Sequence, residues 1–428
     1  MASLAFLLHP TRTLSLLPTH AARRTATSMS DAASALLWGG DDIATLPELL
    51  EAQRVLAGTY ASTVVRTPLV KLTEPLPVCG VGLAASAEVH LKLESLQTTG
   101  SFKVRGMQYK LHTSDLDSLR TNGVVTMSAG NAGKAVAYLA RENGFSAKIV
   151  MPESAPDDRK ELLESLGATV DKCPTPELLD RVCESITNDG TVFVHPFDDV
   201  DIIRGHGSCG LEILEDLPDV DIVVVCCGGG GLLAGIAAAV KLGAAATNAS
   251  NASNGNAANA GSAGSAVAGG DGEGTGEGKA GEHTNARAPP LPRVIGVEPE
   301  GANSMWLSVQ DGSEHQWCKD GGKTDTVAHG LAPPFAGRAC FRHVREFADG
   351  VVLVSDDDIR AATRHLFEAG IVAEVSGAAA VAAVMTGKCG SAEELAGKKI
   401  CCLVSGRNIG FDEYSSAIKD LSVPMGEP

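Results

Sequence analysis

The amino-acid sequence predicts an α/β fold of two open, twisted, mostly parallel sheets flanked by helices. Three observations carry that prediction. Short β-branched runs alternate with stretches of helical periodicity, glycines punctuate the junctions, and the longest uncharged apolar run holds four consecutive glycines in its middle. Strands alternating with helices of this length pair in parallel through right-handed crossovers.

The first set of elements starts near residue 120. "GVVTM" reads as a strand, and "AGKAVAYLARENG" as a helix with Val136, Leu139 and Ala140 on one face and Gly144 as its stop. "SAKIVM" is a second strand, "DDRKELLESLG" an acid-opened helix closed by Gly167, and "ATVDKC" a third strand; "TPELLDRVCESITNDG" and "TVFVHP" repeat the unit. A second set follows as "DIVVVCC", "LLAGIAAAVKLG", "RVIGVEP", "GVVLV" and "KKICCLV". Between its first helix and "RVIGVEP" the stretch 244–290 is rich in Gly, Ala, Asn and Ser, so it is expected to be a disordered low-complexity insertion. The expected organisation is a small domain at 121–205 and a large one made of 31–120 and 206–428.

With 428 residues and 44% hydrophobic content the chain can bury a large core. Its net charge of -17 argues against nucleic acid or an anionic membrane as the main partner, since either favours a basic face. The apolar run from Ile222 to Val240 is nearly long enough to span a bilayer, but its glycines favour strand, turn and helix. The 11 cysteines form no CxxC pair and several sit in apolar runs, as buried reduced thiols do. The first thirty residues contain Arg12, Arg23 and Arg24, many Ser and Thr, and no acid before Asp31. This is the composition of a mitochondrial or plastid transit peptide, with a disordered cytoplasmic tail as the alternative.

Four segments carry chemistry. In "DIVVVCCGGGGLLAGIAAAVKLG" a buried strand runs through Gly228, Gly229, Gly230 and Gly231 into a helix, where backbone amides and the helix dipole attract a phosphate. No Gly-Lys-Ser or Gly-Lys-Thr follows, which argues against a nucleoside triphosphate. Gly229, Gly231 and Ala234 fit GxGxxA, but no acid lies between Gly231 and Asp271 to hold a ribose, so a dinucleotide-binding oxidoreductase is the runner-up.

A phosphate cradle without a nucleotide points to pyridoxal phosphate, which also needs a lysine amine. Lys103 in "TTGSFKVRGM" meets that need, because a lysine held among apolar side chains keeps its amine uncharged more readily, and Phe102 beside it can wall a ring. In "SAGNAGKAVA" a strand-to-helix junction offers open amides to a carboxylate, with Asn131 placed to donate to a phenolate oxygen. In "CLVSGRNIG" Ser405 ends a buried strand, where open α/β sheets bind ligands. A hydroxyl rather than a carboxylate at a pyridine nitrogen weakens the ring as an electron sink and favours elimination.

In this order the four segments resemble fold-type II pyridoxal phosphate enzymes (tryptophan synthase β-like), in the serine/threonine dehydratase and serine racemase branch. The resemblance runs from "RTPLVKL" at 66–72 to "SGRNIG" at 405–410 and takes in "HPFDDVDIIRGHGSCGLEIL", "VIGVEPEGANSM" and "EVSGAAAVAAV". It implies that Lys103 forms the imine and removes the Cα proton, Phe102 packs on the cofactor, Asn131 contacts O3′, Gly228 to Gly231 hold the phosphate and Ser405 faces the ring nitrogen. Ser128, Ala129, Gly130 and Asn131 would hold the carboxylate of an amino-acid substrate, with the cofactor in the cleft between the two domains of a homodimer. The implied reaction is β-elimination of a β-hydroxy amino acid to a 2-oxo acid and ammonia. Racemases of this branch carry a serine where Ala129 stands, so dehydration is expected to dominate. Family positions usually filled by His, Gln, Asp and Gly hold Ala132, His206, His329 and Arg407, and Arg407 reads first as a solvent-facing or domain-bridging cation, with the second carboxylate of a hydroxyaspartate-like substrate as the alternative. A divalent or monovalent cation is implied at Glu298, although Ser304 replaces the second acid.

Overall fold

The computed structural model describes residues 42–73, 76–78, 81–82, 87–261, 289–314 and 324–419. The segment read as a transit peptide lies outside them. Helix α1 (Leu46–Gly58) starts where Glu48 accepts from the Thr45 backbone N–H and hydroxyl at 3.0 and 2.9 Å. Strand β1 (Leu69–Lys71) is followed by the short pair β2 (Pro77–Val78) and β3 (Val81–Gly82), and then by β4 (Glu88–Lys92). Helices α2 (Lys103–Thr113) and α3 (Leu116–Asn122) lead into β5 (Val124–Met127). Strand and helix then alternate through α4 (Asn131–Asn143), β6 (Ala147–Pro152), α5 (Asp157–Ser165), β7 (Thr169–Cys173), α6 (Leu178–Asp189) and β8 (Val192–Phe193). The second set comprises α7 (Val200–Asp216), β9 (Ile222–Cys226), α8 (Gly231–Gly261), β10 (Arg293–Pro299), α9 (Ser304–Asp311), α10 (Arg338–Phe347) and β11 (Gly350–Val354). It closes with α11 (Asp356–Glu368), α12 (Ala379–Met385), α13 (Ala392–Leu395), β12 (Lys399–Leu403) and α14 (Phe411–Lys419).

The larger sheet has the order β1-β4-β12-β9-β10-β11 and is parallel except for the β1–β4 edge; the smaller, all parallel, has the order β7-β6-β5-β8. Both sheets form as the alternating pattern requires. Strand β9 is buried on both faces, so its residues divide by pleat. Ile222, Val224 and Cys226 join one core with α11 and α12, whereas Val223 and Val225 join another with α7, α8 and α10. A third core holds Val124, Ile149 and Met151 of the smaller sheet together with Leu139 of α4 and Val104 and Met107 of α2.

Lys103 is the first residue of α2, reached through a turn in which Gly100 takes φ 77°. One expectation is corrected. The stretch expected to be disordered from residue 244 is helical to Gly261, because α8 runs about 46 Å at 1.5 Å per residue. Its core part ends close to where expected: Leu232 to Val240 are buried, Lys241 to Ala244 are partly exposed, and Ala245 is the first exposed residue. Residues 262–288 of the insertion lie outside the described residues. By length and composition α8 could cross a membrane, but its first turns are packed in the core just described.

Candidate active site

Parallel strands deliver their carboxyl ends to one side of a sheet, where the loops gather the candidate residues. Lys103 and Ser405, remote in sequence, are stitched together there. Ser101 and Gly406 form an antiparallel bridge, the Phe102 N–H donates to Ser405 O at 3.1 Å, and the Arg407 N–H donates to Gly100 O at 2.9 Å. A side chain on Gly100 would come within 2.5 Å of Asn408 Oδ1, so this crossing requires glycine. Lys103 Nζ donates to Pro196 O at 2.6 Å and stands 5.0 Å from the Phe102 ring centroid. Burial pulls the Lys103 pKa down to about 8. Two imidazoles lie close by. Burial and then the Lys103 charge hold His195 at about 3, and its Nδ1 accepts from the Phe197 and Asp198 N–H groups. His206, fully buried and likewise neutral, meets Phe102 edge-on at 4.9 Å.

The glycine run folds around the segment that accepts from Lys103. β-carbons on Gly229 and Gly231 would lie 2.3 Å from the Phe197 ring and 2.7 Å from Phe197 O, so the loop touches the chain just after Pro196. Gly230 has φ 98°, a conformation that favours glycine, and Gly231 opens α8. The floor is fixed by Asp198, which accepts from the Arg338 and Cys340 N–H groups at 3.0 and 3.1 Å, while the Gly337 N–H donates to Gly229 O. A phosphate cradle needs this stiffness, since its donors are backbone amides with no side-chain freedom.

Ser128, Ala129, Gly130 and Asn131 join β5 to α4 and are all partly exposed. The Gly130 N–H donates to Ser128 Oγ at 3.2 Å. Asn131 Nδ2 donates to Glu374 Oε1 at 2.7 Å, and Asn131 Oδ1 accepts from Asn408 Nδ2 at 2.6 Å. Glu374 Oε2 also takes the Asn408 N–H at 3.0 Å, and burial pushes the Glu374 carboxyl up to about 7. Thus the Asn131 loop of the smaller sheet and the Ser405 loop of the larger one share a carboxyl group. Sequence reasoning quoted "EVSGAAAVAAV" and "SGRNIG" but gave Glu374 and Asn408 no role; the pairing is long-range, so no local signal marks it.

Lys103, Phe102, the four glycines and Ser405 therefore come together, with the Ser128–Asn131 loop on the opposite sheet. Ser405 is buried, and the nearby Cys226 thiol donates to Leu403 O at 3.7 Å. Glu298 is placed differently from expectation. Fully buried, it accepts the Met305 and Trp306 N–H groups at 3.0 and 2.7 Å, so both oxygens cap α9 and burial raises its pKa to about 8. Among the described residues no three His, Cys, Asp or Glu side chains gather as metal ligands, so no divalent-cation site is assigned to Glu298. Sequence reasoning also missed a buried ionic network under α2. Arg105 holds Glu94 and Glu212 at 2.7 to 2.9 Å, and Lys92 Nζ reaches Glu212 Oε2 at 2.7 Å.

The family model described as "Pyridoxal-phosphate dependent enzyme" matches residues 61–263 and 265–406. The chain belongs to this family of pyridoxal-phosphate dependent enzymes. An L-threonine ammonia-lyase of Thermotoga maritima is 35% identical over 388 residues, covering 89% of this chain and 80% of that protein. Two solved structures are similar. One is the processed threonine deaminase isoform 2 of Solanum lycopersicum (TM-score 0.68, 27% identity, 90% of this chain and 97% of the other). The other is maize serine racemase (TM-score 0.68, 26% identity, 88% and 97%). The donors suit the cofactor: a lysine amine near neutrality for its aldehyde, a glycine loop at a helix N-terminus for its phosphate, and a buried hydroxyl, not a carboxylate, for its ring nitrogen.

Proposed function

We propose that this enzyme is a serine/threonine-type ammonia-lyase that converts a β-hydroxy amino acid to a 2-oxo acid and ammonia. The observation that carries the reading is the Lys103 amine, with a pKa near 8, set between the glycine loop and the Ser405 strand end. Pyridoxal phosphate, when bound, supplies an electron sink for the negative charge left at Cα. Lys103 Nζ anchors it and takes the Cα proton; at pH 7 about one such amine in ten is uncharged, against about one in 2,500 for a solvated lysine. The amides of Gly228 to Gly231 and the start of α8 hold the phosphate. Phe102 packs against the ring, and Ser405 accepts or donates at the ring nitrogen without fixing a charge there. Asn131 is oriented by Glu374 and Asn408, and with Ser128, Ala129 and Gly130 it receives the substrate carboxylate at the start of α4. Loss of the β-hydroxyl is favoured over return of a proton to the opposite face, because Ala129 offers no acid or base on that side.

In the same reading residues 121–205 form the smaller domain, the enzyme is a homodimer, and the first thirty residues direct it to a mitochondrion or plastid. The support for these points is the family resemblance and the composition of the leader. The test is to load the full chain with pyridoxal phosphate, record the absorbance band at roughly 410 nm, and measure 2-oxo acid and ammonia from L-serine and L-threonine. Both signals are expected, and Lys103→Ala is expected to remove both. Retention of both in that variant contradicts the assignment. Chiral analysis distinguishes a racemase, which would give D-serine in excess of pyruvate.

A further inference from the structure

Three cations from three elements surround the loop that receives the substrate carboxylate. A side chain on Gly130 would begin 3.9 Å from Arg159 Nη1, so the α5 guanidinium overlooks that loop. On α4, Lys134 Nζ donates to Asn408 Oδ1 at 2.6 Å, and Asn408 in turn donates to Asn131, which ties the ammonium to the network holding the loop. Arg407, next to Asn408, is exposed, and its backbone is fixed by the N–H donated to Gly100 O at 2.9 Å and the carbonyl that accepts from the Ile409 N–H at 3.0 Å. Burial and then the Arg407 charge lower the Lys134 pKa, so these two cations feel each other.

The opposing charge is slight. Glu374 has its carboxyl raised by burial and gives its oxygens to Asn131 and Asn408. Glu413, exposed, is 4.0 Å from Arg159 Nη2. Among the described residues neither Lys134 nor Arg407 has a carboxylate oxygen within ion-pairing distance. In a chain of net charge -17, cations gathered with so little counter-charge raise one another's free energy, and a bound anion relieves that cost. A serine or threonine side chain brings no such anion.

We propose that Arg159, Lys134 and Arg407 receive a second carboxylate, so that the preferred substrate is a β-hydroxy amino acid of the 3-hydroxyaspartate class. This rests on the lyase reading above, because it takes the Ser128–Asn131 loop as the seat of the α-carboxylate. The elimination balances without a further reactant. The Cα–H and Cβ–O bonds break, water leaves, and hydrolysis consumes one water to give a four-carbon 2-oxo dicarboxylic acid and ammonia.

Two readouts test this on the loaded full chain. Calorimetric binding of succinate, which has the carbon skeleton and both carboxylates but no reacting groups, is compared with that of butyrate. Succinate is expected to bind at least about tenfold more tightly, and Arg407→Gly or Arg159→Gln to remove most of that advantage. Turnover of 3-hydroxyaspartate is compared with that of L-serine. Its kcat/KM is expected to be the larger, and each variant to lower it about tenfold more than it lowers serine turnover. Succinate binding no tighter than butyrate, or indifferent to both variants, overturns the proposal whatever the activity. Serine turnover with no preference for 3-hydroxyaspartate overturns it while leaving the lyase reading intact. Absence of any deamination with succinate selectivity retained would instead locate the failure in the lyase reading.

Discussion

Lys103 does two jobs that a solvated lysine does poorly, and its surroundings explain why. Burial near Phe102, with His195 and His206 held neutral and the Cys340 thiol kept protonated by its own burial, favours the free amine. Covalent capture needs the free amine, so the capture rate of pyridoxal phosphate by apoprotein is expected to rise with pH through about 8 and then level off. Stopped-flow measurement from pH 6 to pH 11 checks this; a rise centred near 10.4, the value for a solvated lysine, contradicts it. Lys103 was legible in the sequence because its segment stands between two glycines and its partners are equally distinctive. Arg105, two positions on, was not. Its spacing suits a solvated residue, and only the fold brings Glu94 and Glu212 to it. Removing it leaves Glu94 buried without its paired cation and Glu212 with Lys92 alone, so Arg105→Ala is expected to lose roughly 3–5 kcal/mol of stability by denaturant titration. A loss below about 1 kcal/mol would mean that the network relaxes by admitting water.

At the scale of elements, the glycine loop and α2 decide whether the residues meet. Gly230→Ala places a β-carbon at φ 98°, 2.4 Å from Met305 Cε and 2.9 Å from Cys340 Cβ, so it is expected to weaken cofactor binding about tenfold or more. Gly144→Ala is the control. Its φ is 76° with no atom within 4 Å, so it is expected to cost about 1 kcal/mol of stability and leave cofactor titration unaltered. Equal cofactor affinity in the two variants would show that the loop conformation does not matter for binding. Periodicity located the strands and helices that have one wet face. It missed the start of α2 because Val104 to Tyr109 are all buried, the helix being packed against α1, α4 and α7, so no one-sided stripe exists to read. The capping role of Glu298 was hidden for a related reason. A lone acid after a strand reads as a ligand, and only the following helix shows that both its oxygens accept backbone N–H groups.

For the whole molecule, the parallel sheets and their loop-end site were legible because crossovers and handedness leave few arrangements. The order of strands was not, since β12 at the end of the chain inserts between β4 and β9, a pairing with no local signature. The helical extension of α8 was also hidden, because Ala-rich sequence forms helix without contributing a core face. Asn248 Nδ2 donates to Pro289 O at 3.0 Å, so the chain leaves and returns at nearly one place. Replacing residues 250–288 by a short Gly-Ser linker is therefore expected to leave cofactor loading intact and to shift Tm by no more than about 3 °C. A variant that loads no cofactor would give the insertion a part in the site. The most direct test of the central claim is borohydride reduction of the loaded enzyme followed by peptide mass spectrometry. The phosphopyridoxyl group is expected on Lys103; its appearance on Lys134 or another lysine, or on none, would contradict the account.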